Sequence, residues 1–456
     1  MTADSPSPAS TALLDRPADG GRAEAPLVLD TAPPRTLGFK DQFALWANLG
    51  ISLIGFTSAA TVLGQPGSEL SFTAAMTAIV AGTVIGTAML SVASLIGART
   101  GAPAMAVLRG LFGTRLSYLP TVLNILQCVG WGVYELIVIS SGAQTVAGTQ
   151  GWRWLFVVLA GALTTVLTIW PLGSITALRK YVAIAVGVAM VYFTVQLGRQ
   201  GWPNPGAGNW TGFLSATDAI IAVSISFVPL AADYTRHSRT GRAAFLGTFS
   251  GYTIAQVWCY ALGLIALLQS HGNADNLLNS FTGVTAGWAF LLVLVLREAD
   301  QSFANVYSTA MSVHNLFPRV DRRLLTGGLG VLVTVLALQI TSYTNAYYAF
   351  LGLIGSVFVP LLAVLAADYF LGRGRHGWDL SQQAPARPLM LLPWALGFCT
   401  YQFLAPTQNA GKWTHFWTDL QGWLHFTPQE WTSASLFSFL VAGLATLGLT
   451  RLSRAA

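Results

Sequence analysis

Residues Leu291–Asn315 read LLVLVLREADQSFANVYSTAMSVHN, an apolar run of membrane-spanning quality into which Arg297, Glu298 and Asp300 arrive together, followed by Gln301 and Asn305. An ionised side chain at bilayer depth costs at least a few kcal/mol, so such groups persist where they pair or line a wet cavity. On a helix Arg297, Asp300 and Gln301 share one face, and Asn305 continues it one turn on. A loop between two half-length segments would also hold the charges. Against it, apolar residues resume through Val306–Val313 and an Arg-rich turn follows, so the stretch is expected to be one spanning helix that carries function.

The composition around it agrees. The chain has 456 residues, 53% of them hydrophobic and 9% charged, where a soluble domain carries about 25% charged residues. That profile marks an all-α integral membrane protein with many spans. Cys128, Cys259 and Cys399 lie far apart in apolar runs and suggest neither a disulfide framework nor metal spacing.

Apolar segments of about 20 residues, enough to cross a bilayer, recur at 42–63, 72–97, 119–147, 154–172, 181–198, 215–232, 245–268, 284–311, 324–342, 345–371, 389–407 and 432–450, twelve in all. Residues 1–41 are rich in Pro, Ala, Asp and Arg without periodicity and are expected to form a disordered cytoplasmic tail. One set of connections holds Arg99, Arg109, Arg115, Arg179, Lys180, Arg236, Arg239, Arg242, Arg319, Arg322, Arg323, Arg373, Arg375 and Arg387; the opposite set holds Arg153, Arg199 and Lys412. Basic loops stay inside, which places both termini in the cytoplasm of a cell (plasma or inner) membrane. The net charge of +6 is thereby explained by topology, and no nucleic-acid partner or obligate protein partner is implied.

Two spans carry interruptions. The first holds Asn48-Leu49-Gly50-Ile51-Ser52 and the sixth Ser224-Ile225-Ser226-Phe227-Val228-Pro229. A mid-membrane Pro removes a helical hydrogen bond, and Gly or Ser lowers the cost of unwinding. Interruptions at corresponding places in two halves point to a transporter site. Spans one and six are five apart, as a five-plus-five inverted repeat requires. The third span supplies Gly130-Trp131-Gly132-Val133-Tyr134-Glu135. There a flat indole and a carboxylate lie one turn apart on one face, beside a Gly that leaves room for a ligand. A carboxylate accepts from ring N–H or amine groups.

From about Phe43 to Leu371 the chain resembles the nucleobase:cation symporter-1 family, the purine, cytosine, hydantoin and hydroxymethylpyrimidine permeases. The resemblance rests on Gly101-Ala102-Pro103 with Arg109 and Phe112-Gly113, Gly130-Trp131, Pro229 with Asp233-Tyr234-Thr235-Arg236, Ala304-Asn305, Gly355-Ser356-Val357-Phe358-Val359-Pro360 and Ala367-Asp368-Tyr369. It implies a leucine-transporter-like fold: a ten-helix core at 42–371, with repeats at about 42–200 and 213–371, and two additional helices within 388–456. It also implies roles. Trp131 matches a substrate-stacking Trp, Glu135 falls where some members bond the heterocycle, and Asn305 matches a substrate-bonding Asn. With Trp46 in register, Asn48 and Ile51 would offer carbonyls to a cation and Ser52 would face substrate. Phe227 is the candidate for a second aromatic, with Ser224 and Ser226 as polar neighbours. Where the family often places a hydroxyl pair for sodium, this chain has Ala299 and Asp300. Asp300 would therefore bind sodium or carry a transported proton, and Arg297 would neutralise Asp300 or Glu135, or line a wet vestibule.

The expected activity is cation-coupled uptake of cytosine or another aminopyrimidine or purine by alternating access. Hydroxymethylpyrimidine and allantoin or hydantoin are alternatives within the family, and an amino-acid carrier on the same fold is a remoter one. An enzyme is disfavoured, because the sequence has no phosphate loop with Lys and no His-Glu-x-x-His. The expected partners are a small heterocycle, the lipid bilayer and a co-transported sodium ion or proton, with no cofactor and no resident metal.

Overall fold

The computed structural model describes residues 33–63, 70–149, 151–169, 175–206, 208–270, 277–316, 321–340, 343–407 and 410–455. The helices are α1 (Phe39–Gly50), α2 (Leu53–Thr57), α3 (Ala59–Val62), α4 (Phe72–Thr100), α5 (Ala104–Phe112), α6 (Tyr118–Ala147), α7 (Arg153–Ile169), α8 (Ile175–Arg199) and α9 (Phe213–Ile225). They continue as α10 (Val228–Thr235), α11 (Gly241–Gln269), α12 (Leu277–Thr282), α13 (Gly287–Leu316), α14 (Arg322–Gln339), α15 (Tyr343–Phe370), α16 (Leu391–Leu404), α17 (Lys412–Trp423) and α18 (Ala434–Ala455). Among the described residues the only β pairings are two isolated bridges, Leu37 with Ser238 and Leu70 with Asn209.

Local sequence sets several of these boundaries. Ser71, Thr240 and Asp321 cap α4, α11 and α14 by accepting backbone N–H bonds, and Gly101 closes α4 at φ 68°. Seven described helices are long and apolar enough to cross a membrane, eight if α1 and α2–α3 form one span bent by 53°. Three shorter apolar helices run Arg153–Ile169, Arg323–Gln339 and Pro388–Leu404. Their outward faces are apolar: Leu126, Tyr181, Ile184, Val331 and Leu444 are each more than half exposed. In water that much exposed apolar surface would drive association, whereas in a bilayer it is solvated.

The interior is where the polar groups collect. Trp46 of α1 is fully buried and meets Phe227, Tyr234 and Tyr252 edge-on at 6.2–6.3 Å. α1 can lie so close to α11 because Gly251 has no side chain; a Cβ there would sit 2.4 Å from the Phe43 carbonyl oxygen. At one end of the molecule Asp368 is buried and salt-bridged to Arg387 at 2.8 Å, and it also accepts from Trp378 Nε1. Arg387 donates in turn to the Gly110 carbonyl of α5.

Three expectations are corrected here. Residues 1–32 of the anticipated tail lie outside the described residues, and residues 37–41 are not tail-like. Leu37 exchanges backbone bonds with His237 and Arg239, and helix begins at Phe39. The two interruptions are also unequal. α1 and α2 are separated by extended residues, Ile51 at φ −94°, ψ 114° and Ser52 at φ −147°, ψ 145°, whereas Ser226 and Phe227 between α9 and α10 stay in right-handed helical conformation. Pro229 cannot donate to Ile225, yet Leu230 N bonds the Phe227 carbonyl at 3.0 Å. Gln127 of α6 takes the Ser226 carbonyl at 2.8 Å. The Ser226 and Phe227 carbonyls beside the Pro are thus engaged without unwinding. Finally, the space beside Gly130 admits no ligand: it is filled by the Phe350 ring, and a Cβ at Gly132 would meet Val333.

Candidate functional site

The break in the first span exposes two helix ends of opposite polarity. α1 stops at Gly50 with its last carbonyls lacking helical partners, the negative end of its dipole, and α2 starts at Leu53 with free amides. α13 crosses this gap and presents two adjacent residues of opposite charge. Arg297 donates from Nε to Asn48 Oδ1 at 2.9 Å and from its terminal nitrogen to the Asn48 backbone carbonyl. Glu298 accepts from Ser52 Oγ at 2.7 Å and from Leu53 N at 2.8 Å. Both are buried, 1% and 0% exposed, so the cation sits on the carbonyl end and the anion on the amide end. Of the roles raised for Arg297, the wet vestibule gives way to a closed polar joint with Asn48.

Beside the joint, α1, α2, α6, α9, α10, α11 and α13 enclose a cavity of about 40 Å³, above the ~10–15 Å³ that one water needs. Trp131 and Phe227 both line it, as do Ser52, Glu135, Ser226 and Asn305. Trp131 is held edge-on by Tyr347 and Phe350 at centroid distances of 6.0 and 5.2 Å. Phe227 is held by Trp46 and Tyr252 at 6.2 and 5.4 Å. Asn305 Nδ2 donates to Glu135 Oε1 at 2.8 Å, joining α13 to α6. Among the described residues Glu135 Oε2, Trp131 Nε1 and Gln301 Oε1 are buried without a hydrogen-bond partner, and buried polar atoms are rarely left so.

Not every expected residue comes to this place. Ser224 is fully buried, donates to Gln256 Oε1 at 2.9 Å and packs at Gly86 of α4, away from the cavity wall. Ser226 lines the cavity but its hydroxyl bonds the Val223 carbonyl. The Asn48 carbonyl, expected to face a cation, is taken by Arg297. Ile51 lies in the break itself, and Ala299 is buried at 4% exposure on α13. The side chain of Asp300 lies outside the described residues. Several residues were not anticipated as site residues. Glu298 shares a helical face with Gln301 and Asn305, seven residues in two turns, a signal present in the sequence. Tyr252, Gln256 and Tyr260 line the cavity from α11 at four-residue steps, and Gln127 braces the α9–α10 junction.

Comparison with known proteins follows the same lines. The sequence profile of a family described as permease for cytosine/purines, uracil, thiamine, allantoin matches residues 31–382. The chain belongs to this family, the nucleobase:cation symporter-1 permeases. A hydantoin permease of Microbacterium maritypicum is 25% identical over 374 residues, spanning 75% of this chain and 74% of that protein. A purine-cytosine permease of Saccharomyces cerevisiae is 20% identical over 369 residues, 72% and 67% of the two chains. The inward-facing conformation of the transporter Mhp1 superposes with a TM-score of 0.71 at 19% identity, covering 95% of each chain, and so shares the fold. This nucleobase:cation symporter-1 permease is a multi-pass membrane protein, and its relatives are carriers rather than enzymes.

Proposed function

We propose that this permease is a secondary active symporter that takes up a flat nitrogen heterocycle, cytosine or another aminopyrimidine or purine, coupled to a cation. The observation that carries the reading is the cavity between Trp131 and Phe227, where three buried polar atoms await partners. A planar ring lies between the two aromatic side chains, and base–aromatic stacking contributes about 1–3 kcal/mol per base. Glu135 Oε2 accepts from an amine or ring N–H, and Gln301 Oε1 accepts from a second. Asn305 fixes the Glu135 carboxylate at 2.8 Å. Ser52, bonded to Glu298, ties the ring's surroundings to the bent first span.

Alternating access in this reading is a rocking of helices about the cavity. It runs within a core at residues 42–371 built of two inverted repeats, about 42–200 and 213–371, with two further spans within 388–456, twelve in total. Both termini face the cytoplasm. The similarity to a hydantoin permease favours hydantoin or allantoin as a second reading of the substrate, since such rings also offer N–H donors to Glu135. Uptake into proteoliposomes under an imposed ion gradient, with labelled cytosine, adenine, uracil, hydantoin and allantoin, tests the proposal. Cytosine or adenine is expected to accumulate ahead of uracil. A folded, correctly inserted protein that accumulates none of the five contradicts it.

A further inference from the structure

A helix that stops inside a membrane protein leaves its last carbonyl oxygens facing a medium with no water to satisfy them. The C-terminal end of α1 is such a place, and a positive charge is needed there. A transported metal cation held by carbonyl oxygens is one solution. The structure contains another: the Arg297 guanidinium reaches across from α13 and donates to both the side-chain and backbone oxygens of Asn48.

Among the described residues, groups of the chain itself thus serve both ends of the break. Arg297 serves the carbonyl end, and both carboxylate oxygens of Glu298 serve the amide end through Ser52 Oγ and Leu53 N. A metal ion arriving at Asn48 would find the carbonyl already engaged, with a like charge beside it in a low-dielectric interior that strengthens their repulsion. An arginine keeps its charge under all physiological conditions and cannot dissociate as an ion does.

From this geometry we infer that Arg297 is a tethered substitute for a coupling metal ion at the broken first span, and that the carrier works without sodium. The inference rests on the symport reading for its meaning in transport, but its first test needs no substrate. Purified wild-type protein is titrated with ²²Na⁺ in a scintillation proximity assay, and its thermal midpoint is compared in sodium and choline. No saturable binding is expected, and no sodium-specific stabilisation, whereas an ion at a hundred times its Kd would shift the folded-to-unfolded ratio about a hundredfold. Saturable ²²Na⁺ binding by the wild type overturns the inference, whatever the substrate proves to be. A wild type that binds no sodium yet transports no heterocycle sinks the symport reading alone.

The second test uses transport in proteoliposomes at fixed pH. Replacing sodium by choline is expected to leave wild-type uptake within about twofold, as it must when the ion has no differential affinity for any state. Arg297→Ala is expected to lose uptake and to regain part of it on addition of guanidinium, which refills the position; a purely structural defect would not respond. Arg297→Lys, which keeps the charge, provides a folded comparison and is expected to retain sodium-independent uptake. An Arg297→Ala protein that transports at the wild-type rate in choline, without guanidinium, contradicts the role assigned to the side chain. So does an Arg297→Lys protein that has become sodium-dependent.

Discussion

Glu135 and Asn305 show how much a single pair can decide. The 2.8 Å bond from Asn305 fixes one carboxylate oxygen, while the other is buried with no hydrogen-bond partner among the described residues. Glu135→Gln keeps the shape but loses the second anionic acceptor, and hydrogen bonds to charged groups contribute about 1.5–3 kcal/mol. The affinity for an amine-bearing ring such as cytosine is expected to fall about tenfold or more, with uracil affected less, as measured by competition binding. Equal losses for both rings would remove Glu135 from the amine. At this scale the sequence was legible where spacing obeyed the helix: Trp131 and Glu135 stand four apart, and both reach the cavity. It misled at Ser224. Two residues apart on a helix point to nearly opposite sides, and only Ser226 lines the cavity. The partner that Ser224 chose, Gln256 of α11, is a tertiary contact that no local pattern announces.

α13 is the element on which the site turns, since its adjacent Arg297 and Glu298 close the two ends of the broken first span. Removing the carboxylate by Glu298→Ala leaves the Leu53 amide and Ser52 hydroxyl without their acceptor, a loss of about 1–3 kcal/mol. A lowered thermal midpoint in detergent is the expected result, and a midpoint equal to wild type would show that the joint is not held this way. The Arg387–Asp368 bridge, whose residues do not line the cavity, makes a similar case. Arg387→Ala strands a fully buried carboxylate, which in buried pairs costs about 3–5 kcal/mol. A larger fall in midpoint than for Glu298→Ala is expected, while heterocycle affinity stays unchanged. The polar cluster within the Leu291–Asn315 stretch was plain in the sequence. Its pairing was not: spacing along α13 groups Arg297 with Asp300, while the contact to Asn48 depends on where α1 breaks. The α11 stripe of Tyr252, Gln256 and Tyr260 stands at four-residue steps, but in so apolar a helix such a stripe fits packing as well as a cavity wall.

For the molecule as a whole, composition and hydropathy sufficed to give an all-helical membrane protein, because the outward faces need only be apolar. The bent first span was legible from Asn48–Ser52, but the matching break in the sixth was not realised: Ser226 and Phe227 stay helical, with their carbonyls taken by Gln127 and by a tightened turn. What unites the scales is the proposal that a ring-shaped guest is held between Trp131 of α6 and Phe227 at the α9–α10 junction, which both line the cavity. The most direct test is calorimetric titration of the preferred heterocycle into wild-type protein and into Trp131→Ala. Loss of one stacking face, about 1–3 kcal/mol, is expected to weaken binding by about fivefold to about 150-fold. An unchanged Kd in a folded Trp131→Ala protein would contradict the account.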